Sequence, residues 1–321
     1  MHTRQLGKTG ANLTEIGLGA WAIGGAWDWG WGEQDDAASV DTIRRALDRG
    51  INWIDTAAVY GLGHGEEVVG RALKGRRREV FLATKCGLPW DDRRRVANNN
   101  HPASIRKECE NSLRRLGTDY IDLYQIHWPH DKVPVEDSWG AMIRLQEEGK
   151  VRFIGVSNFG VELLARCQAI HPVDSLQPPY SMINRAVDAE ILPWCREHEV
   201  GVIAYSPLQN GLLTGKFSQD YLLTLAEDDW RRKRSARYFN EPLFSKVLGF
   251  VEQLGPIAEG YGKTPAQLAI AWVLMHPATT AAIVGARTPE QADQNLGGAG
   301  WQISAADMDR IEALYLATVG E

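Results

Sequence analysis

Short apolar runs recur along this chain with longer amphipathic stretches between them, and no other feature restricts its fold so strongly. The runs lie at 16–20, 52–55, 80–85, 121–127, 151–156, 175–177, 201–205 and 281–285. Runs of this length suit strands buried on both faces, and the stretches between them supply crossover helices near 35–49, 65–73, 102–116, 135–148, 160–169, 188–198 and 265–276. Eight strand and helix units predict an α/β fold, a (β/α)8 TIM barrel with a packed interior rather than an open sheet. The sixth run, followed at once by Pro178-Pro179, carries the weakest strand signal.

The ends of the chain add to this unit. Residues 4–6 and 12–15 flank Gly7-Lys8-Thr9-Gly10 and read as an N-terminal β-hairpin that closes the barrel floor. The helix at 265–276 opens on Thr264-Pro265, an N-cap with proline in the first turn. Extra C-terminal helices are expected in 288–321, one from Pro289 and one capped by Ser304, where Asp307 three residues on resembles a capping box. Residues 209–241 keep no period and carry Asp228-Asp-Trp-Arg-Arg-Lys-Arg234, which predicts a long loop with one or two helical turns.

A barrel of this kind fills 321 residues by itself, so 1–321 is read as a single domain. The net charge of -6 argues against a dedicated nucleic-acid surface, and the basic runs at 76–78, 93–95 and 231–234 read mainly as solvated charge. Cys86, Cys109, Cys167 and Cys195 show neither CxxC pairing nor zinc spacing, so no disulfide framework or metal is expected and a reducing cytoplasm fits. The N-terminus has no apolar leader, and no stretch approaches the length needed to span a bilayer.

Polar residues close the runs: Asp55 the second, Lys85 the third, His127 the fourth, Ser157 and Asn158 the fifth, Gln177 the sixth, Tyr205 the seventh and Gly285 the eighth. In a parallel barrel those ends converge on one face, where active sites of the fold are built. Tyr60 follows Asp55 by five positions. A phenol is a poor acid at neutral pH unless a cation favours its anion, and a lysine held by an aspartate is such a cation. Taken singly, each residue has a plainer reading: Tyr60 as a turn tyrosine, Lys85 as a solvated charge, Asp55 as a cap, His127 as a satisfied core histidine. Their convergence favours proton transfer to a carbonyl oxygen.

The segments Asp55-Thr-Ala-Ala-Val-Tyr60-Gly61, Gln125-Ile-His127-Trp-Pro, Ile154-Gly-Val-Ser-Asn-Phe159, Gln177-Pro-Pro-Tyr-Ser181, Ala204-Tyr-Ser-Pro-Leu208, Gly211-Leu-Leu-Thr-Gly-Lys216 and Ile283-Val-Gly-Ala-Arg-Thr-Pro-Glu-Gln291 occur in this order. In them the chain resembles the aldo-keto reductase family over nearly its full length. The run ending at Lys216 is closer to bacterial and plant members and to voltage-gated potassium channel β subunits than to the mammalian aldose reductase group. The resemblance implies a catalytic tetrad of Asp55, Tyr60, Lys85 and His127. Tyr60 is then the general acid in reduction, Lys85 lowers its pKa, Asp55 holds Lys85, and His127 orients the carbonyl or shares the proton path. The hydride must come from a nicotinamide, since no side chain donates one.

The chain has no GxGxxG in a Rossmann setting, as the resemblance leads one to expect. Ser157, Asn158 and Gln177 offer groups for the carboxamide, and Tyr205 offers a ring for stacking. Pyrophosphate is assigned to the loop running from Ser206, Pro207 and Leu208 through Gly211 to Lys216, which alone reads equally as a surface loop. Arg287, just ahead of the Pro289 helix, provides a guanidinium and a helix N-terminus for an adenosine 2'-phosphate, which favours NADP(H) over NAD(H). Gly285 stands where many family members carry a lysine, and this weakens the grip. Gln291 and Asn295 match positions used for the adenine end; otherwise they form a solvated helix face.

Twelve tryptophans are many for this length, and Trp21, Trp27, Trp29 and Trp31 cluster after the first run. Trp21 and Trp128, with Trp90, are expected to wall a substrate pocket; Trp27, Trp29 and Trp31 divide between that role and loop packing. Trp139, Trp194, Trp272 and Trp301 read as core. Cys86 beside Lys85 reads as a small buried hydrophobe more than as an activated thiol. The expected function is an NADP(H)-dependent oxidoreductase that reduces aldehydes or ketones to alcohols, with a small carbonyl compound as its partner. Oligomeric state has no readable signal. The alternative is a regulatory or binding subunit that keeps NADP(H) and signals its redox state with slow turnover.

Overall fold

A computed structural model describes residues 1–227, 229–233 and 237–320. Strands β1 (Thr3–Gln5) and β2 (Asn12–Thr14) pair antiparallel, with Thr3 opposite Thr14. The chain then lays down β3 (Ile16–Gly19), β4 (Trp53–Asp55), β5 (Phe81–Cys86), β6 (Ile121–Ile126), β7 (Val151–Ser157), β8 (Ser175–Gln177), β9 (Gly201–Ala204) and β10 (Thr279–Gly285). Among the described residues these eight strands are parallel and close into a barrel in chain order, β10 returning to pair with β3. The sixth run, weakest in the sequence, forms β8 at the expected residues.

Outside the barrel lie α1 (Asp36–Asp48), α2 (His64–Ala72), α3 (Pro102–Leu116), α4 (Val135–Glu147), α5 (Val161–Ile170), α6 (Ile191–Glu197), α7 (Gln219–Thr224), α8 (Leu243–Gly260), α9 (Pro265–Met275), α10 (Pro289–Leu296) and α11 (Ala305–Thr318). The expected helix at 188–198 shortens to α6, which keeps Pro193 in its first turn, where its missing N–H is no loss. Helix α8 was not anticipated, since Gly249, Gly255, Gly260 and Pro256 all argue against it. Each interior glycine costs about 1 kcal/mol of helix propensity and the proline about 3 kcal/mol. The stripe Phe244, Val247, Phe250, Val251, Leu254, Ile257 and Ala258 is buried at helical spacing, and each large side chain contributes about 1.5–3 kcal/mol, so burial outweighs propensity. The glycines face outward, where an added Cβ would meet nothing within 4 Å.

Residues 209–241 contain α7 and short 3-10 turns at Gln209–Thr214 and Arg237–Phe239, in keeping with a long loop. Asp228 and Arg234, the ends of its charged run, lie outside the described residues. At Ser304 the capping box is half formed. The Ser304 side chain accepts from the Asp307 N–H, but the Ser304 N–H donates to the Tyr261 hydroxyl (2.9 Å) rather than to Asp307. The shorter Asp side chain instead accepts from the Ser304 and Tyr261 hydroxyls.

The barrel interior explains how the site is placed. Side chains two apart on a strand share a face, so Trp53 and Asp55, Ala83 and Lys85, and Leu123 and Gln125 point the same way. The lower, apolar members pack with Ile203, Ala281 and Ile283, and Leu6 and Leu13 of the hairpin fill the floor beneath them. Gly17 admits the Trp53 indole, which would lie 2.1 Å from a Cβ there, and the indole N–H donates to the Thr14 carbonyl (2.9 Å). The upper, polar members are lifted to the C-terminal rim by this packing. Among the described residues no helix is long and apolar enough to cross a membrane.

Candidate active site

Lys85 is the hub of the rim. Its ammonium donates to Asp55 Oδ2 (2.7 Å), to the Thr56 carbonyl (2.8 Å) and to the Tyr60 hydroxyl (3.2 Å), which uses all its hydrogens. The Lys85 side chain has no exposed surface and that of Asp55 is 3% exposed, so each charge depends on the other for compensation. Asp55 Oδ1 accepts from Gln177 Nε2 (2.8 Å), which fixes the carboxylate plane.

Tyr60 is delivered by a tight loop. Its N–H donates to the Ala57 carbonyl (3.1 Å), and Gly61 follows with φ of +61°. A Cβ at Gly61 would lie 2.0 Å from the Gly24 carbonyl oxygen, so only glycine lets this loop seat against the segment after β3. The Tyr60 ring meets Trp27 on one side (centroids 6.1 Å) and the edge of His127 on the other (6.0 Å).

Burial pushes the Tyr60 phenol well above its ordinary pKa, and the Asp55 charge adds to the rise. This direction is opposite to the lowering expected from Lys85, and its first cause is desolvation of the phenolate. The phenol therefore holds its proton at neutral pH. Burial pulls Lys85 below its ordinary value, opposed by the charge of Asp55. Burial, then the charge of Lys85, hold His127 well below the usual histidine range, so its ring is neutral at pH 7.

Beyond Lys85 the rim is a connected polar network. Asn158, at φ of +62°, donates to the His127 carbonyl (2.9 Å) and Ser157 Oγ (3.0 Å) and accepts from the Tyr205 hydroxyl (2.8 Å). Ser157 Oγ donates to the Gln177 carbonyl (2.8 Å). The groups expected to meet a carboxamide are thus already bonded to one another, and among their amide atoms a lone pair of Asn158 Oδ1, the Oε1 of Gln177 and one Gln177 Nε2 hydrogen are left over. These acceptors and this donor, beside the Tyr205 ring, fit a nicotinamide.

Along the next part of the rim, Ser206, Gln209 and Asn210 also take left-handed backbone conformations (φ +57°, +43° and +56°), and Gly211 follows at +96°. Among the described residues the buried Gln209 Nε2 has no partner, while Pro207 and Leu208 pack inward and Lys216 is exposed. Gly285 is exposed, and a Cβ there would meet only the Gly19 carbonyl oxygen at 3.8 Å, so this stretch of rim is bare. A buried, unpartnered amide and an exposed lysine on this stretch fit a dinucleotide.

The Arg287 guanidinium is bonded within the protein. Its Nε donates to Gln34 Oε1 (2.5 Å), one Nη to the Glu33 carbonyl (2.6 Å) and the other to the Trp31 carbonyl (3.4 Å). Gln34 Nε2 returns a bond to the Arg287 carbonyl (3.2 Å). Gln291 Oε1 accepts from the Arg287 N–H (2.8 Å), and Asn295 Nδ2 donates to the Gly285 carbonyl (3.1 Å), so both residues assigned to adenine brace the segment after β10.

The two long loops meet over this face. Trp21 packs edge-on to Trp31 (5.5 Å) and to Trp230 (5.6 Å), and the Arg231 guanidinium lies 4.2 Å above the Trp31 ring while paired with Asp229 (2.6 Å). Trp21 and Trp27 both pack against the Tyr60 cluster. Trp128 follows His127 and is 45% exposed at the rim; Trp29 is also exposed. Trp90 is not brought to the tetrad. It lines a separate cavity of about 550 Å³ with Ala58, Glu108 and Arg115, the Arg115 guanidinium 5.5 Å over its ring. Trp139 and Trp272 are buried, and Trp194 and Trp301 pack against the core.

In that second cavity burial pushes the Glu108 carboxyl up to about 7, although it accepts from the Gly87 N–H (3.0 Å) and the Ser104 hydroxyl (3.0 Å). The folded state then binds a proton that the unfolded chain releases near its ordinary value of 4.5. Stability from this group is complete below pH 4.5 and is lost as pH rises through about 7. Glu108→Gln is expected to remove that loss, raising stability at pH 8 by about 3 kcal/mol, with no gain at pH 4.5, in denaturant titrations at the two pH values. An equal gain at both would mean the effect is packing.

Cys86 is buried and its thiol is pushed well up by that burial, in line with a small core hydrophobe rather than a nucleophile. Three residues at this face escaped the sequence reading. Gln125 is the register partner of Lys85 and fully buried, with both amide atoms unpartnered among the described residues. Its position two before His127 was the available signal. Trp230 and Gln34 lie in loops without period, and nothing in the sequence marked them.

The chain matches the model of the "Aldo/keto reductase family" over residues 15–316. It is 40% identical over 324 residues to the aldo-keto reductase YhdN of Bacillus subtilis (strain 168), covering 100% of this chain and 96% of that one. It is 37% identical over 315 residues to the NADH-specific methylglyoxal reductase of Escherichia coli (strain K12), covering 94% of each. Among solved structures, the glycerol dehydrogenase AKR11B4 from Gluconobacter oxydans superposes with a TM-score of 0.90 at 39% identity, over 99% of this chain and 96% of that one.

Proposed function

The chain belongs to the aldo/keto reductase family, and from that premise we propose that it reduces small aldehydes or ketones to alcohols with a nicotinamide dinucleotide, Tyr60 acting as the general acid. The observation that carries this reading is the buried Lys85 ammonium, which bonds Asp55 and the Tyr60 hydroxyl at once. Residues along the rim from Ser157 to Asn295 would hold the cofactor, which would supply the hydride for the carbonyl carbon. Tyr60 donates its proton to the carbonyl oxygen as negative charge develops there. The phenolate left behind is stabilised by Lys85, and Asp55 keeps Lys85 charged throughout. The neutral His127, edge-on to Tyr60, orients the carbonyl by hydrogen bonding.

Ser157, Asn158 and Gln177 would hold the carboxamide, Tyr205 would stack on the ring, and the 206–216 loop would face the pyrophosphate. The Arg287 guanidinium supports a preference for NADP(H), while Gly285 at the rim and the NADH-specific relative from Escherichia coli support a narrow one. Trp21, Trp27 and Trp128 would contact the substrate. The relatives named for methylglyoxal and glycerol support a short, oxygen-rich carbonyl compound.

The test is initial rates with NADPH and NADH over short oxygenated aldehydes, aromatic aldehydes, ketones and sugars. Saturable oxidation of the cofactor with a short aldehyde is expected, at rates of about 1 per second or faster. Tight cofactor binding with almost no turnover across the panel would instead favour a redox-sensing subunit.

A further inference from the structure

Arg287, just ahead of α10, is the cation that the proposed function assigns to an adenosine 2'-phosphate, yet its donors are bonded to the protein. An arginine recognises phosphate best through a fork of two parallel N–H groups. Here Nε and one Nη bond Gln34 Oε1 and the Glu33 carbonyl, so the side-on fork is filled (2.5 and 2.6 Å). The remaining Nη reaches the Trp31 carbonyl at 3.4 Å. Gln34 is the only side chain among these acceptors, and it closes a reciprocal pair by donating to the Arg287 carbonyl (3.2 Å).

The segment that receives the guanidinium is also the end of the tryptophan loop. Trp31 packs against Trp21, which packs against the Tyr60 cluster, and Arg231 covers the other side of Trp31. The clasp therefore joins the bare cofactor rim after β10 to the aromatic wall of the substrate side. Its strength sets both the availability of Arg287 and the anchoring of that wall.

We propose that Gln34 is a specificity-determining residue for the cofactor: by clasping Arg287 against residues 31–34 it withholds the side-on fork from a 2'-phosphate, so NADP(H) must open a contact that NAD(H) leaves closed. This rests on the reading that a nicotinamide dinucleotide binds along the rim. Gln34 acts through Arg287 and is a positioning residue. Loss of its side chain frees the Nε arm of the fork, the other arm staying on the Glu33 carbonyl, so NADP(H) binds more tightly while NAD(H) is little changed. A hydrogen bond to a charged group is strong enough for an effect of about tenfold.

The experiment is a titration of tryptophan fluorescence with NADPH and with NADH, on the full chain and on its Gln34→Ala, Arg287→Ala and doubly substituted variants. Expected for Gln34→Ala is a dissociation constant for NADPH about tenfold lower, with that for NADH within about twofold. On the Arg287→Ala background the same change should leave NADPH affinity unmoved, which separates a clasp on Arg287 from any contact of Gln34 with the nucleotide. Weaker NADPH binding in Gln34→Ala would make the residue a support that prepares Arg287 for phosphate and would overturn the proposal. Equal shifts for both nucleotides, or an undiminished effect without Arg287, would also overturn it. If neither nucleotide quenches the unmodified protein, the rim is not a dinucleotide site, and the proposed function falls together with this inference.

Discussion

Tyr60→Phe is expected to lower kcat for carbonyl reduction by a factor of about 10³ or more, with NADPH and NADH affinities within about twofold of the parent. The ring's contacts to Trp27 and His127 are kept in the phenylalanine variant, and only the hydroxyl at 3.2 Å from Lys85 Nζ is lost. Lys85 keeps its bonds to Asp55 and the Thr56 carbonyl, so the fold should be unaffected. Steady-state rates, fluorescence titration and a thermal melt together check this outcome. Full turnover by the variant would remove Tyr60 from its role. Because burial pushes the phenol up, the parent's reduction rate should also show no loss from Tyr60 across the neutral range.

Lys85→Met should harm both chemistry and stability. The substitution nearly conserves volume but leaves Asp55, 3% exposed, without its cation; Gln177 then provides its one remaining side-chain hydrogen bond. Breaking a buried pair from one side costs about 3–5 kcal/mol. Turnover should fall by at least the factor expected for Tyr60→Phe, since the phenolate also loses its stabilising charge. Denaturant titration and steady-state rates check the two effects separately. Lys85→Met combined with Asp55→Asn should recover a large part of the stability, because the stranded charge is gone, and none of the activity. Recovery of activity in the double variant would show that the pair is structural.

The positions of Asp55, Lys85, His127, Ser157 and Gln177 were legible because a strand's alternation and its end are local properties. An apolar run with a polar residue at its last inward position records both the barrel and the site. The hairpin was legible for the same reason, from two short strands around a glycine-flanked turn. Helix α8 was hidden because its glycines and proline speak only to local preference, while the burial that stabilises it is supplied by neighbours. That Trp90 lines a cavity with Glu108 and Arg115 was not legible, because a tryptophan's position after a strand says nothing of which way its loop turns.

The sequence by itself determined the order of strands, the face on which the functional groups gather, and the chemical kinds of group available there. These follow from periodicity and residue type, which each segment carries alone. The tertiary structure decided what each group is bonded to. It made burial the first influence on the Tyr60 proton, bound Ser157, Asn158 and Gln177 into one network, and turned Arg287 toward Gln34 across 253 positions of chain. Desolvation and long-range hydrogen bonds depend on every neighbour at once, so they exist only when the barrel is closed.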